Sequence, residues 1–136
     1  MQHQKKSPPR FLVADDVPVL SFMVGELLRE CGAEVVGLAA DGAEALRLFH
    51  DTAPDGVVLD IEMPELNGLQ VLRAIRASER GSRCLVIILT SHSEQSMREQ
   101  AYADGADHVL HKSSEFERLL RIVPAFIERR SEQLDV

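Results

Sequence analysis

Five residues of this chain carry side chains suited to chemistry and stand where a fold would gather them: Asp15, Asp16, Asp60, Thr90 and Lys112. Each follows a short run that reads as a buried strand. Phe11-Leu12-Val13-Ala14 delivers Asp15 and Asp16, and Gly56-Val57-Val58-Leu59 delivers Asp60. Leu85-Val86-Ile87-Ile88-Leu89 delivers Thr90, and His108-Val109-Leu110-His111 delivers Lys112. A strand that is apolar at every position suits a parallel sheet covered on both faces, and the residue ending it lies at the carboxyl edge. Three acids, a hydroxyl and an amine at four such ends are the components of a metal-assisted phosphoryl site. After Asp60 come Ile61-Glu62-Met63-Pro64-Glu65-Leu66-Asn67-Gly68, where Pro64 and Asn67-Gly68 force a turn before the next helix.

The elements that must position these residues alternate strand and helix five times. Strands are predicted over 11–14, 34–39, 56–59, 85–89 and 108–111, and helices over 17–30, 43–50, 69–78, 94–103 and 114–130. Gly32 and Gly105 stop the first and fourth helices, and Asp41 can cap the second, whose apolar face is Ala45, Leu46, Leu48 and Phe49. Leu69, Leu72 and Ile75 share one side of the third. Phe116, Leu119, Leu120, Val123, Phe126 and Ile127 form the expected buried stripe of the fifth, with a kink at Pro124. Such alternation implies parallel strands joined by right-handed crossovers. The fold class expected is α/β, a five-stranded, doubly wound, flavodoxin-like sheet of order 2-1-3-4-5 in a single domain. Ligands bind such sheets outside the carboxyl ends of the strands, at the switch point between strands one and three. That brings Asp15 and Asp16 beside Asp60, with Thr90 and Lys112 across the same crevice.

Composition narrows the function classes. The chain has 136 residues, 45% hydrophobic and 27% charged, which suits one globular domain of ordinary core size. A formal charge of −7 argues against nucleic acid or an anionic membrane as main partner. The longest apolar run, Cys84 to Leu89, is far too short for a membrane span, and the polar, basic start has no apolar stretch of a signal peptide. Cys31 and Cys84 have no metal-ligand spacing and read as reduced, packed thiols, as in a cytoplasmic protein. His92 and His111 read as isolated exposed side chains.

The ordered set Phe11 to Asp16, Asp60 to Gly68, Thr90-Ser91 and Lys112 resembles the receiver domains of two-component response regulators, most closely the single-domain chemotaxis kind. The likeness spans about Arg10 to Arg129, with a disordered tail over 1–9, the domain over 10–130 and a short tail over 131–136. The resemblance implies that Asp60 is a phosphoacceptor taking its group from a histidine kinase or phosphotransfer protein. It implies magnesium held by Asp16, Asp60 and the Glu62 backbone carbonyl, with Asp15 acting through water. Lys112 would pair with a phosphoryl oxygen and Thr90 would hydrogen-bond it. Three acids in one cleft raise each other's pKa, so the metal-free domain is expected to carry an electrostatic penalty.

Two positions depart from the family pattern. Val109 stands where an aromatic rotor is usual, and Ser113 follows Lys112 where a cis proline is usual. A cis bond before serine costs roughly 2.5–4 kcal/mol, so that bond is expected trans. Glu62 and His92 occupy positions that the family uses to tune phosphate lifetime. The function implied is a stand-alone switch, monomer or weak dimer, that binds a downstream protein target through helix four, strand five and helix five. A relay intermediate, an unphosphorylated pseudo-receiver scaffold and a small aspartyl phosphatase of the haloacid dehalogenase type are the alternatives. Against the last, Glu62 stands where a second aspartate is usual.

Overall fold

Apolar side chains along each strand fall alternately on the two faces of one sheet, and this sorts the helices. The computed structural model describes residues 7–134. Its strands are β1 (Arg10–Ala14), β2 (Glu34–Ala39), β3 (Gly56–Leu59), β4 (Leu85–Thr90) and β5 (His108–His111). They pair in parallel in the order β2-β1-β3-β4-β5, as the alternating pattern predicts. The helices are α1 (Pro18–Glu30), α2 (Gly42–Thr52), α3 (Gly68–Ala77), α4 (Gln95–Ala103) and α5 (Leu119–Leu134). Leu12, Ala14, Val57, Leu59, Val86, Ile88 and Val109 face one cluster, where they meet Ala45 and Phe49 of α2, Leu72 and Ile75 of α3 and Ala101 of α4. Phe11, Val13, Val58, Ile87, Leu89 and Leu110 face the other, against Val24 and Leu28 of α1 and Leu119 and Val123 of α5.

Local signals explain the helix ends. Asp41 Oδ1 accepts the Glu44 N–H at 2.7 Å, the expected cap of α2. Asn67 caps α3 through a capping box with Gln70, each side chain bonded to the other's backbone N–H at 2.9 Å. The fifth helix begins later than predicted. Residues 114–118 form a turn and a short 3-10 segment, Phe116–Arg118, because the Glu115 carboxylate folds back onto the His111 N–H at 2.9 Å. Leu120 is 51% exposed and leaves the predicted stripe, while Ile122 joins it. Pro124 lies inside α5, which continues to Leu134.

The edges of the domain also differ from expectation. Of the tail predicted over 1–9, residues 1–6 lie outside the described residues, but Pro9 is buried and its carbonyl accepts the Glu34 N–H at 2.8 Å. Of the predicted tail over 131–136, residues 131–134 continue α5 and the last two lie outside the described residues. Among the described residues no peptide bond is cis, and Lys112–Ser113 is trans as expected. No helix of the described residues is long and apolar enough to cross a membrane.

Candidate functional site

Strand register assembles the site. Ala14 lies level with Leu59, so the next residues, Asp15 and Asp60, leave adjacent strands side by side at the switch point. The Asp60 N–H donates to the Ala14 carbonyl at 2.9 Å and the Asp15 N–H to the Ala39 carbonyl at 3.0 Å, so both backbones are pinned. Thr90 is level with His111, and the Lys112 N–H donates to the Thr90 carbonyl at 2.8 Å. All five predicted residues therefore lie at the carboxyl edge of the sheet. Asp15, Asp60 and Thr90 are buried, and Asp16 is exposed at the rim.

Carboxylate oxygens of Asp15, Asp16 and Asp60 lie within 4.8 Å of one another. An all-oxygen donor set of this kind suits a hard cation such as magnesium or calcium. The electrostatic penalty expected from three crowded acids is partly offset from within the chain. Lys112 Nζ lies 2.8 Å from Asp15 Oδ2 and 3.1 Å from Asp60 Oδ2. Burial pushes the Asp60 carboxyl above its usual range, and the Lys112 ammonium pulls it part of the way back. Burial alone would lower the Lys112 amine, but its bonds to Asp15 and Asp60 outweigh that and hold it above its ordinary value.

The loop after Asp60 is shaped by two close approaches that only glycine permits. A Cβ on Gly68 would lie 2.1 Å from the Asp60 carbonyl oxygen, and one on Gly42 would lie 1.9 Å from the Leu66 carbonyl oxygen. The Gly68 N–H donates to the Ile61 carbonyl at 2.8 Å, closing the loop over the start of α3. Thr90 does not cap α4, whose N-cap is Glu94; its Oγ1 accepts the His92 N–H at 3.1 Å. Asp15 Oδ1 accepts the Val17 N–H at 2.9 Å, while the Val17 cap position of α1 has no side-chain cap.

His92 is not the isolated side chain that the sequence suggested. Its Nε2 pairs with the Glu62 carboxylate and its Nδ1 lies 3.1 Å from Glu94 Oε2, so the ring bridges the loops after β3 and β4 at the mouth of the cleft. The two-residue offsets from Asp60 and Thr90 were the only local hint of this meeting. Val109 is buried, and its N–H donates to the Tyr102 hydroxyl of α4 at 3.1 Å. His111 bonds within its own loop, its Nδ1 lying 3.0 Å from Ser113 Oγ.

Comparison with known proteins decides the family. The family model for the response regulator receiver domain matches residues 11–124. The chain belongs to this family. The receiver is 40% identical over 124 residues to the transcriptional regulatory protein PrrA of Mycobacterium leprae, a match covering 91% of this chain and 52% of PrrA. It is 32% identical over 114 residues to the chemotaxis protein CheY of Bacillus subtilis, covering 84% of this chain and 93% of CheY. Against PrrA and regulators like it, the chain spans about half the length of the curated relatives it matches. Among solved structures it is similar to the receiver domain of the sensor histidine kinase PA1611 of Pseudomonas aeruginosa, with TM-score 0.78 and 32% identity over 90% of this chain and 99% of that one. That structure holds a magnesium ion in its active-site cleft. The family acts in two-component signalling.

Proposed function

We propose that this receiver accepts a phosphoryl group on Asp60 from the phosphohistidine of a histidine kinase or phosphotransfer protein and thereby switches its affinity for a downstream protein. The observation that carries this reading is the meeting of Asp15, Asp16, Asp60 and Lys112 in one cleft. Magnesium would be held by the carboxylates of Asp15, Asp16 and Asp60, directly or through water, and by the Glu62 backbone carbonyl. When bound it would neutralise charge on the acceptor and phosphoryl oxygens. An Asp60 carboxylate oxygen forms the bond to phosphorus as the nitrogen–phosphorus bond breaks, and the departing imidazole keeps the electron pair and takes up a proton. Lys112 Nζ, within 3.1 Å of Asp60 Oδ2, is placed to follow the charge onto a phosphoryl oxygen. The Thr90 hydroxyl accepts from His92 and keeps its own proton to donate to the new group.

The switch surface proposed is α4, β5 and α5, acting on a charge event at Asp60. Exposed Tyr102 of α4 and Leu120 of α5 support an apolar contact there. Because Val109 is buried and has few rotamers, the signal would travel through Thr90, the loop after it and α4. A stand-alone role is supported by the likeness to B. subtilis CheY, 93% of which the match covers. A cytoplasmic setting is supported by the free thiols Cys31 and Cys84. The deciding experiment is incubation with acetyl phosphate and magnesium. One base-labile, acid-stable phosphoryl group is expected on Asp60 and none on Asp60→Asn; label that persists in the variant, or forms without divalent metal, overturns the reading.

A further inference from the structure

Positive charge is concentrated at the pole of the sheet opposite the aspartate cleft. Two adjoining depressions of about 260 and 620 Å³ lie at the amino ends of β3, β4 and β5, sharing Arg83, Cys84, Phe126 and Arg129. Along β4 from Leu85 to Thr90, the strand rise separates them from the cleft by about 16 Å. Five of the chain's twelve arginines line them, although the chain as a whole carries −7. The acids present are already committed. Asp55 Oδ2 accepts the Arg10 N–H at 2.8 Å and lies 3.6 Å from Arg130, and Asp107 binds the Val86 N–H at 2.8 Å and Arg76 at 2.9 Å. Arg76 is further occupied by the carbonyls of Gly81, Cys84 and Gly105.

That leaves Arg80, Arg83 and Arg129 exposed, with no carboxylate among the described residues within 4.0 Å of any of them. Glu79 stands on the rim beside Arg80 and Arg83 without pairing to either. Three exposed guanidiniums with no carboxylate partner among the described residues line one depression, and their donors suit more than one phosphoryl group. The floor between them is apolar, made of Pro54, buried Cys84 and the half-buried ring of Phe126. An edge-to-face contact with Phe11, centroids 5.9 Å apart, holds that ring. The Cys84 thiol adds no negative charge, because burial pushes its pKa to about 12.

We propose that this pole binds a nucleoside di- or triphosphate, with the phosphates on Arg80, Arg83 and Arg129 and the base over Phe126 and Pro54. The size of the depressions suits such a ligand, and small pockets of this type combine an apolar floor with a few convergent polar groups. A long polyanion would meet the acidic remainder of the surface, whereas a compact one touches only this bowl.

The test titrates ATP into the full chain with EDTA present, which prevents a metal–nucleotide complex from binding the aspartate cleft, and follows backbone amides by NMR. Saturable shifts are expected over 80–85 and 126–130. Tripolyphosphate, which has no base, should bind at least fivefold more weakly. The Arg83→Gln/Arg129→Gln double variant should bind ATP at least tenfold more weakly while melting like wild type and labelling equally with acetyl phosphate. Failure of that labelling in every form would bear on the Asp60 reading and not on this one. Shifts confined to the loops after β1 and β3, tripolyphosphate binding as tight as ATP, or wild-type affinity in the double variant would overturn the proposal.

Discussion

Replacing Lys112 with methionine keeps most of the apolar stem and removes only the charge. In the wild type the ammonium lies 2.8 Å from Asp15 and 3.1 Å from Asp60, both carboxylates being about 5% exposed. At an effective dielectric of ~20 these distances correspond to about 6 and 5 kcal/mol of gross attraction, most of it cancelled by desolvation. Removing one partner of a buried pair typically costs about 3–5 kcal/mol, because the other charge is left uncompensated. The cleft is open on its Asp16 side, so we expect a loss of about 2–4 kcal/mol at pH 7, or roughly 10 °C in melting temperature. Urea unfolding with and without magnesium measures it. Millimolar magnesium should restore most of the loss, and should raise the melting temperature of Lys112→Met more than that of wild type, because ammonium and metal compete for the same oxygens. The sign with pH follows from the carboxylate. The folded Asp60 pKa lies above 3.8, so its ionised form weakens the fold, and stability is regained as pH falls through that raised value. The variant's deficit should therefore shrink on mild acidification. In wild type the Lys112 contribution is complete below 10.5 and is lost as pH rises through its higher folded pKa, a limb that the variant lacks. A variant as stable as wild type at pH 7, or a deficit indifferent to magnesium and pH, would refute the bridging role of Lys112.

Three further substitutions test the site and its read-out. Gly68→Ala places a methyl 2.1 Å from the Asp60 carbonyl, so about 2–3 kcal/mol of stability and most acetyl phosphate labelling should be lost; equal labelling would show that the loop adapts. Thr90→Ala should leave magnesium affinity within about twofold, since the hydroxyl is no metal ligand, yet uncouple phosphorylation from amide shifts in α4; unchanged shifts would place the signal elsewhere. Tyr102→Phe removes the acceptor of the Val109 N–H and should cost about 1 kcal/mol while raising hydrogen exchange at Val109; unaltered exchange would mean that the contact is not maintained in solution.

The chain's own pattern determined the layers and the location of the chemistry. Short runs, three of them without a polar residue, ending in Asp15-Asp16, Asp60, Thr90 and Lys112 mark buried strands by their composition and length and the polar ends by position, and both are local properties. The α2 cap at Asp41 and the turn at Asn67-Gly68 were legible for the same reason, each being settled within four residues. Tertiary structure alone decided which side chains pair within the cleft. Lys112 between Asp15 and Asp60, and the ring of His92 between Glu62 and Glu94, depend on registers that join residues up to 97 positions apart. The late start of α5 depends on Glu115 reaching back to His111, a side-chain choice that apolar periodicity does not record. The arginines of the opposite pole come from α3, the segment after it and the end of α5, and their neighbourhood is invisible until the crossovers bring those ends together. Periodicity tells which face a side chain takes. Distances between charges belong to the packing of the sheet, because the chain spacing between them carries no information about their separation in space.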